Sequence, residues 1–260
     1  MPEYVLDQAT GRGLEEERLR ALQEFYRPTT LRGLDAVGVG PGWRCWDVGT
    51  GSAPIALELA ERVGPTGQVI ATDLDTTLAE WVAAHGVDVR VHDVMAEPPV
   101  ATGLDLVHTR LLLMHLPAPA EVVARFADAL RPGGWVVLGD FDGTGFAVHT
   151  GAREATRVWE LCLAVMTDAG AAIDCGPQLP GLLRDAGFVD VAGESYSEHS
   201  AGSSPHPRLA AMTAQRLRDR ILRTGRMDPE EVDRGIGQLL DPRHFFTSPT
   251  TWTVWGRRAR

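Results

Sequence analysis

The sequence predicts an α/β fold built on a seven-stranded, mostly parallel sheet whose last strand is antiparallel. Three observations carry this reading. Strand-like apolar runs alternate with helical ones from Trp43 to Asp140, a glycine pair follows the first run, and carboxylates close the second and third. Successive parallel strands need crossover connections, and the helical segments supply them. A chain of 260 residues suffices for one large α/β domain with additions, whereas two full domains would be cramped.

The opening segment has helical spacing from Leu14 to Tyr26, with Leu14, Leu19, Leu22, Phe25 and Tyr26 near one face and Glu15 to Glu17 in the first turn. Arg27-Pro28 is expected to end it. A second short helix, Thr30 to Val37, should stop at Gly38 and Gly40-Pro41-Gly42, where the core begins. Strand one is Arg44 to Val48, the first core helix Pro54 to Val63, and strand two Gln68 to Thr72. A helix from Thr77 to His85 precedes strand three, Val87 to His92. Strand four is Leu104 to His108, helix Pro119 to Leu130 follows, and Arg131-Pro132-Gly133-Gly134 turns into strand five, Trp135 to Gly139. Beyond Asp140 the pattern gives helices Arg153 to Ala169 and Leu179 to Ala186, then strand six from Gly187 to Ala192. Two polar helices follow, near His206 to Thr224 and Asp228 to Leu240, and the final strand is Thr250 to Trp255. The expected organisation is a helical segment over residues 1–41, a core over 42–193 and 247–260, and a helical insertion over 194–246. The first and last of these helical parts are expected to cover the substrate.

Composition removes several classes of function. A formal charge of -10 argues against a nucleic-acid partner, because phosphate binding needs a basic field. Every basic side chain is Arg or His; without Lys there is no Schiff-base chemistry and no phosphate-cradling P-loop lysine. Cys45, Cys162 and Cys175 are scattered and odd in number, which suits a reducing, cytoplasmic compartment and gives no metal-ligand spacing. No secretory signal and no membrane span are expected. A homodimer is left open.

The most informative stretch is Trp43-Arg-Cys-Trp-Asp-Val-Gly-Thr-Gly-Ser-Ala53, answered by Val69-Ile-Ala-Thr-Asp-Leu-Asp75. A strand running into two glycines lets a backbone approach a ligand closely, and an acid ending the next strand suits a ribose diol. A nucleoside-cofactor site is expected there. Dinucleotide folds place a third glycine in the order G-x-G-x-x-G, but here Ser52, Ala53 and Pro54 follow Gly51. Asp47 just before the turn would also repel a pyrophosphate, while it could hold an ammonium group through water or backbone.

Asp47-Val-Gly-Thr-Gly-Ser52 resembles motif I of the class I S-adenosylmethionine-dependent methyltransferases, and Asp73 falls where that family has its ribose-binding acid. Arg131-Pro-Gly-Gly-Trp135 is similar to the turn before strand five in small-molecule members. The resemblance covers about Gly42 to Val191 plus the last strand, and implies a Rossmann-like core. The overall pattern looks like the ubiquinone/menaquinone-biosynthesis and bacterial natural-product branch.

The resemblance implies S-adenosylmethionine as cofactor, S-adenosylhomocysteine as its product, no metal, and a small, fairly apolar metabolite as acceptor. Gly49, Thr50 and Gly51 would lie against the aminoacyl part, Asp73 would accept from the ribose and Leu74 would flank the adenine. Asp93 and Val94 would meet the base, Thr109 the methionyl part, and Tyr4 would close over the cofactor. Each has a plain alternative: Asp73 a helix cap, Asp93 a turn, Tyr4 a frayed terminus. His115 is the candidate general base and Asp140 the competing acid or substrate anchor; a capping or core histidine is the other reading of His115. Arg110 is expected to pair with a carboxylate, Asp47 or an N-terminal acid. Two other functions stay open: a cyclisation or rearrangement that retains the sulfonium, and an NAD-dependent dehydrogenation.

Overall fold

A computed structural model describes residues 12–260. Within them the chain divides into two compact units, one of Thr29–Phe141, Cys175–Ser195 and Thr251–Arg260, the other of the segments up to Pro28, Asp142–Asp174 and Tyr196–Thr250. The expected boundaries lay instead at 41/42, 193/194 and 246/247.

The first unit holds a seven-stranded sheet in the order β3-β2-β1-β4-β5-β10-β7. Its strands are β1 (Arg44–Val48), β2 (Gln68–Asp73), β3 (Asp88–Val91), β4 (Leu104–Arg110), β5 (Leu130–Asp142), β7 (Phe188–Tyr196) and β10 (Thr250–Arg258). Pairings β1/β2, β1/β4, β2/β3 and β4/β5 are parallel, and the last strand is antiparallel. Helix α2 (Pro54–Val63) packs Ile55, Ala56, Leu59 and Val63 into one apolar cluster with Cys45, Val69, Ala71, Leu106 and Val137. On β1, Trp46 meets Phe126 of α3 (Pro119–Ala129) edge-on with ring centroids 5.9 Å apart. Both faces of β1 are therefore covered, which is why Cys45, Trp46, Asp47 and Val48 are all buried.

The second unit packs α4 (Arg153–Asp168), α6 (Pro205–Arg223) and α7 (Pro229–Leu240) together. Beside them lies a three-stranded antiparallel sheet of β6 (Ala147–Val148), β9 (Phe245–Thr247) and β8 (His199–Ala201), in that order. Asp228 caps α7 through a reciprocal pair with Glu231, its side chain accepting from the Glu231 amide at 2.8 Å.

Several expectations need correction. The two N-terminal helices are one, α1 (Arg12–Val37), with Pro28 inside it. Proline removes the amide that would bond residue 24, yet Phe25 and Tyr26 before it and Thr29, Thr30 and Leu34 after it are buried, so packing on both sides carries the helix through. The helix expected over residues 77–85 is a 3-10 turn, Glu80–His85; it buries only Val82, too little apolar face to sustain an α-helix. Helix α5 starts at Cys175 and continues past Pro180 to Asp185.

The Arg131–Gly134 turn is a bulge inside β5, where the register jumps from Leu104 opposite Leu130 to Leu106 opposite Trp135. Gly133 has φ 78°, and a Cβ at Gly134 would stand 2.8 Å from the Leu104 carbonyl oxygen. Gly134→Ala should therefore lower stability by about 2 kcal/mol or more. Urea unfolding checks this, and an unchanged midpoint would contradict the close approach.

Candidate cofactor site

The site grows from the carboxyl end of β1. Gly49 and Gly51 have φ of 67° and 58°, and Ala53 follows at 60° as the uncapped residue before α2. Such a turn has no ordered conformation of its own, so neighbouring groups must impose one. Asp47 is one of them. It is 2% exposed and accepts from the Thr50 hydroxyl through one oxygen at 2.6 Å, while the other lies 2.6 Å from Nδ1 of His108. His108 stands opposite Asp47 in the β1/β4 register, so the sheet itself brings the two together. The Thr50 amide completes the hold by donating to the Thr72 carbonyl at 2.9 Å.

Asp73 at the end of β2 reaches back across the turn. Its Oδ2 accepts from the Gly51 amide at 2.8 Å, and its Oδ1 accepts from the amides of Leu74 at 2.8 Å and Asp75 at 3.4 Å. Burial pushes its pKa upward, while the three backbone amides pull it back down. A carboxylate has about four lone-pair positions. Three are used, so Asp73 keeps capacity for an outside hydroxyl. The α-helix that Asp73 would have capped does not form; its carboxylate bonds the turn instead.

The approach to the turn is open at one glycine and closed at the other. A Cβ on Gly51 would meet nothing within 4 Å, whereas one on Gly49 would press against Leu112 at 3.1 Å. Leu112 follows Leu111, whose φ of 55° is unusual for a branched side chain. Beyond β2, Leu74 is 61% exposed and Trp81 is 47% exposed, the Trp81 indole donating to the Ser52 carbonyl at 3.0 Å. Exposed apolar side chains beside a strand end are suited to a flat base.

The other candidates sort as follows. Asp93 caps its own turn, with Oδ1 accepting from Met95 at 2.9 Å and Ala96 at 3.3 Å; its second oxygen takes no part in these bonds. Val94 is buried, and its carbonyl is held by Arg125 at 2.9 Å, as is that of Met95 at 2.7 Å. Thr109 is 1% exposed and its hydroxyl donates to the Val48 carbonyl at 2.8 Å, so it ties β4 to β1. Arg110 donates to Thr30 at 3.2 Å; it does not pair with Asp47, whose two oxygens are held by Thr50 and His108. Tyr4 lies outside the described residues.

His115 is half-buried at the end of a 3-10 turn, Leu113–His115. Asp140 holds that turn: its Oδ2 accepts from the Met114 amide at 3.1 Å and its Oδ1 from the Phe141 amide at 3.1 Å. Desolvation raises its pKa to about 7, against the two amides and a hydrogen bond with the Cys175 side chain that lower it. A buried acid bonded this way positions its neighbours more readily than it reaches a substrate. The sequence reading missed His108, Leu111, Leu112, Trp81 and Arg125. For Arg125 no local signal existed, since its contacts lie about 30 residues away in sequence.

A doubly wound sheet with a glycine turn and an acid at the next strand end defines a nucleoside-cofactor protein. The Methyltransferase domain family matches residues 3–192, and the chain belongs to that family. Nocamycin O-methyltransferase of Saccharothrix syringae is 32% identical over 195 residues, 65% of this chain and 67% of that protein. Ubiquinone biosynthesis O-methyltransferase of Burkholderia thailandensis is 34% identical over 116 residues, 42% of this chain and 49% of that one. The chain spans between 46% and 67% of the length of the first curated relatives it matches. Phosphoethanolamine N-methyltransferase 2 of Haemonchus contortus, solved with phosphomonomethylethanolamine and S-adenosylhomocysteine, superposes with a TM-score of 0.60 at 18% identity, over 100% of this chain and 60% of that one. At that identity the likeness concerns the fold.

Two outcomes test this geometry. His108→Ala should destabilise the protein by about 3–5 kcal/mol, because Asp47 would keep a buried charge with only Thr50 as partner; a loss below about 1 kcal/mol in urea unfolding would contradict the pair. For Asp140, a folded pKa above the ordinary 3.8 means that its contribution to stability is full below about pH 4 and is lost as pH rises through about 7. Asp140→Asn should flatten the stability profile between about pH 4 and 8, by up to about 4 kcal/mol. Parallel profiles for the two proteins would contradict the buried acid.

Proposed function

We propose that the chain transfers the methyl group of S-adenosylmethionine to a small, fairly apolar metabolite, at oxygen, carbon or nitrogen, in secondary or quinone-type metabolism. The observation that carries this reading is the glycine turn clipped to Asp73, with open space over Gly51. The family match supports it, and the small-molecule acceptors named for the nocamycin and ubiquinone relatives favour a metabolite over a macromolecule. The absence of Lys and the acidic charge agree.

The residues fit the cofactor. Asp73 would hold the ribose hydroxyls, Leu74 the adenine face, Asp93 and Val94 the base edge, and the backbone from Gly49 to Gly51 the aminoacyl part. When bound, S-adenosylmethionine supplies a methyl group on a sulfonium that is already a good leaving group. The protein then needs mainly to orient the acceptor and exclude water, effects together worth roughly 7–11 kcal/mol. His115 is the group proposed to take the acceptor proton, and Asp140 is proposed to fix the turn that carries it. No nucleophilic side chain is required.

In calorimetry S-adenosylhomocysteine should bind and NADH should not. Asp73→Asn should weaken that binding at least tenfold, since an amide offers an N–H where the Gly51 or Leu74 amide now donates; unchanged affinity would remove the placement. His115→Ala should lower kcat about 10²–10⁴-fold against a panel of phenols, hydroquinones and small amines with methyl-labelled donor, at unaltered S-adenosylhomocysteine affinity. Full activity would demote His115 to scaffold. Acceptor turnover without label transfer would favour the rearrangement reading.

A further inference from the structure

The turn that follows β3 is held from its inner side. The Val94 and Met95 carbonyls accept from Nη1 of Arg125 at 2.9 and 2.7 Å, and the Glu97 carbonyl accepts from the same nitrogen at 3.3 Å. The Pro98 carbonyl accepts from Nε2 of His92 at 2.9 Å. Arg125 stands on α3, where the next residue, Phe126, is fully buried and packs edge-on against Trp46 of β1. The guanidinium therefore reaches the turn from a helix fixed to the sheet, and every residue involved belongs to the first unit. Its planar set of N–H groups suits a role of serving several carbonyls at once.

Within the turn the amides are engaged, with one exception. The Asp93 amide donates to Oε1 of Glu97 at 2.9 Å. Those of Met95 and Ala96 donate to Oδ1 of Asp93 at 2.9 and 3.3 Å, and those of Ala96 and Glu97 to the Asp93 carbonyl at 3.1 and 2.8 Å. The Val94 amide takes no part in these bonds, and neither does Oδ2 of Asp93. One acceptor and one donor, on neighbouring residues, are left over. The pairing edge of adenine has the complementary pattern, an amine donor at position 6 beside a lone pair on N1. A 6-oxopurine presents the reverse, a carbonyl at position 6 beside an N1–H.

The direction of one peptide decides between the two. Were the peptide joining Val94 to Met95 free to rotate, the Val94 carbonyl would be able to turn outward and accept from the N1–H of a 6-oxopurine. Arg125 holds that carbonyl, and the next one, toward the protein. We propose that Arg125 is a positioning residue for base recognition: by fixing the Val94 and Met95 carbonyls inward it makes the site take adenine and reject a 6-oxopurine. This rests on the methyl-transfer reading and on its placement of the base at Asp93 and Val94. Arg125 acts through the turn and does not itself touch the base. Discrimination of this kind is strong, because the wrong base sets donor against donor and acceptor against acceptor.

The test is calorimetry of the full chain with S-adenosylhomocysteine and with S-inosylhomocysteine, in which a 6-oxopurine replaces adenine. The wild-type protein should prefer the adenine compound by about 100-fold or more. Arg125→Met keeps the length of the side chain and removes its donors; it should cut that preference by about tenfold or more. A merely structural role would weaken both ligands alike, so an unmoved ratio in the folded variant would overturn the proposal. Equal binding of the two ligands by the wild-type protein would overturn it as well. Arg125→Gln carries the same comparison, with the same outcomes, if Arg125→Met does not fold. A wild-type protein that binds neither ligand would overturn the methyl-transfer reading itself, whereas binding of S-adenosylhomocysteine with an unmoved ratio removes only the role of Arg125.

Discussion

Two carboxylates on adjacent strands impose a shape on a turn that has none of its own, and the rest of the cofactor edge depends on that. Glycine at positive φ gives a backbone freedom to approach a ligand, at an entropic cost that something must offset. Asp47 fixes Thr50 from beneath, and Asp73 fixes Gly51 from the side. His108 in turn keeps Asp47 from being a lone buried charge. The same two carboxylates make the floor of the turn acidic. That floor repels a pyrophosphate and tolerates a cation. The electrostatics and the missing third glycine thus point the same way.

The chain was most legible where one strand or helix is defined by its own residues. β1 and α2 have the expected bounds, because the buried run from Cys45 to Val48, the glycines and Pro54 at the head of the helix are all local signals. The place of Asp73 at the end of its strand was legible for the same reason. Its bond to the Gly51 amide was not, since it spans the gap between two strand ends. His108 shows the limit clearly: it stood only as the end of strand four, and its partner Asp47 lies 61 residues earlier and opposite in register. Pro28 misled for the converse reason. Its local chemistry ends helices, and tertiary packing overrode it.

The second unit was harder to read. β6, β8 and β9 have two or three residues each, too few for an alternating pattern to stand out. His206 looked like any histidine at a helix start, because sequence does not reveal that Phe25, more than 180 residues away, closes over it. α4, α6 and α7 were legible as helices, close to their observed bounds. This division follows from the chemistry: binding a common nucleoside needs a stereotyped strand end, whereas holding a particular acceptor can be done by many arrangements of rings and polar atoms.

The most direct test of the central claim is a crystal structure of the chain with S-adenosylhomocysteine. The ribose hydroxyls should lie within hydrogen-bond distance of the Asp73 carboxylate, with the adenine against Leu74 and the aminoacyl chain along Gly49 to Gly51. A nucleoside seated elsewhere, with Asp73 bonded only to the backbone amides of Gly51, Leu74 and Asp75, would contradict it.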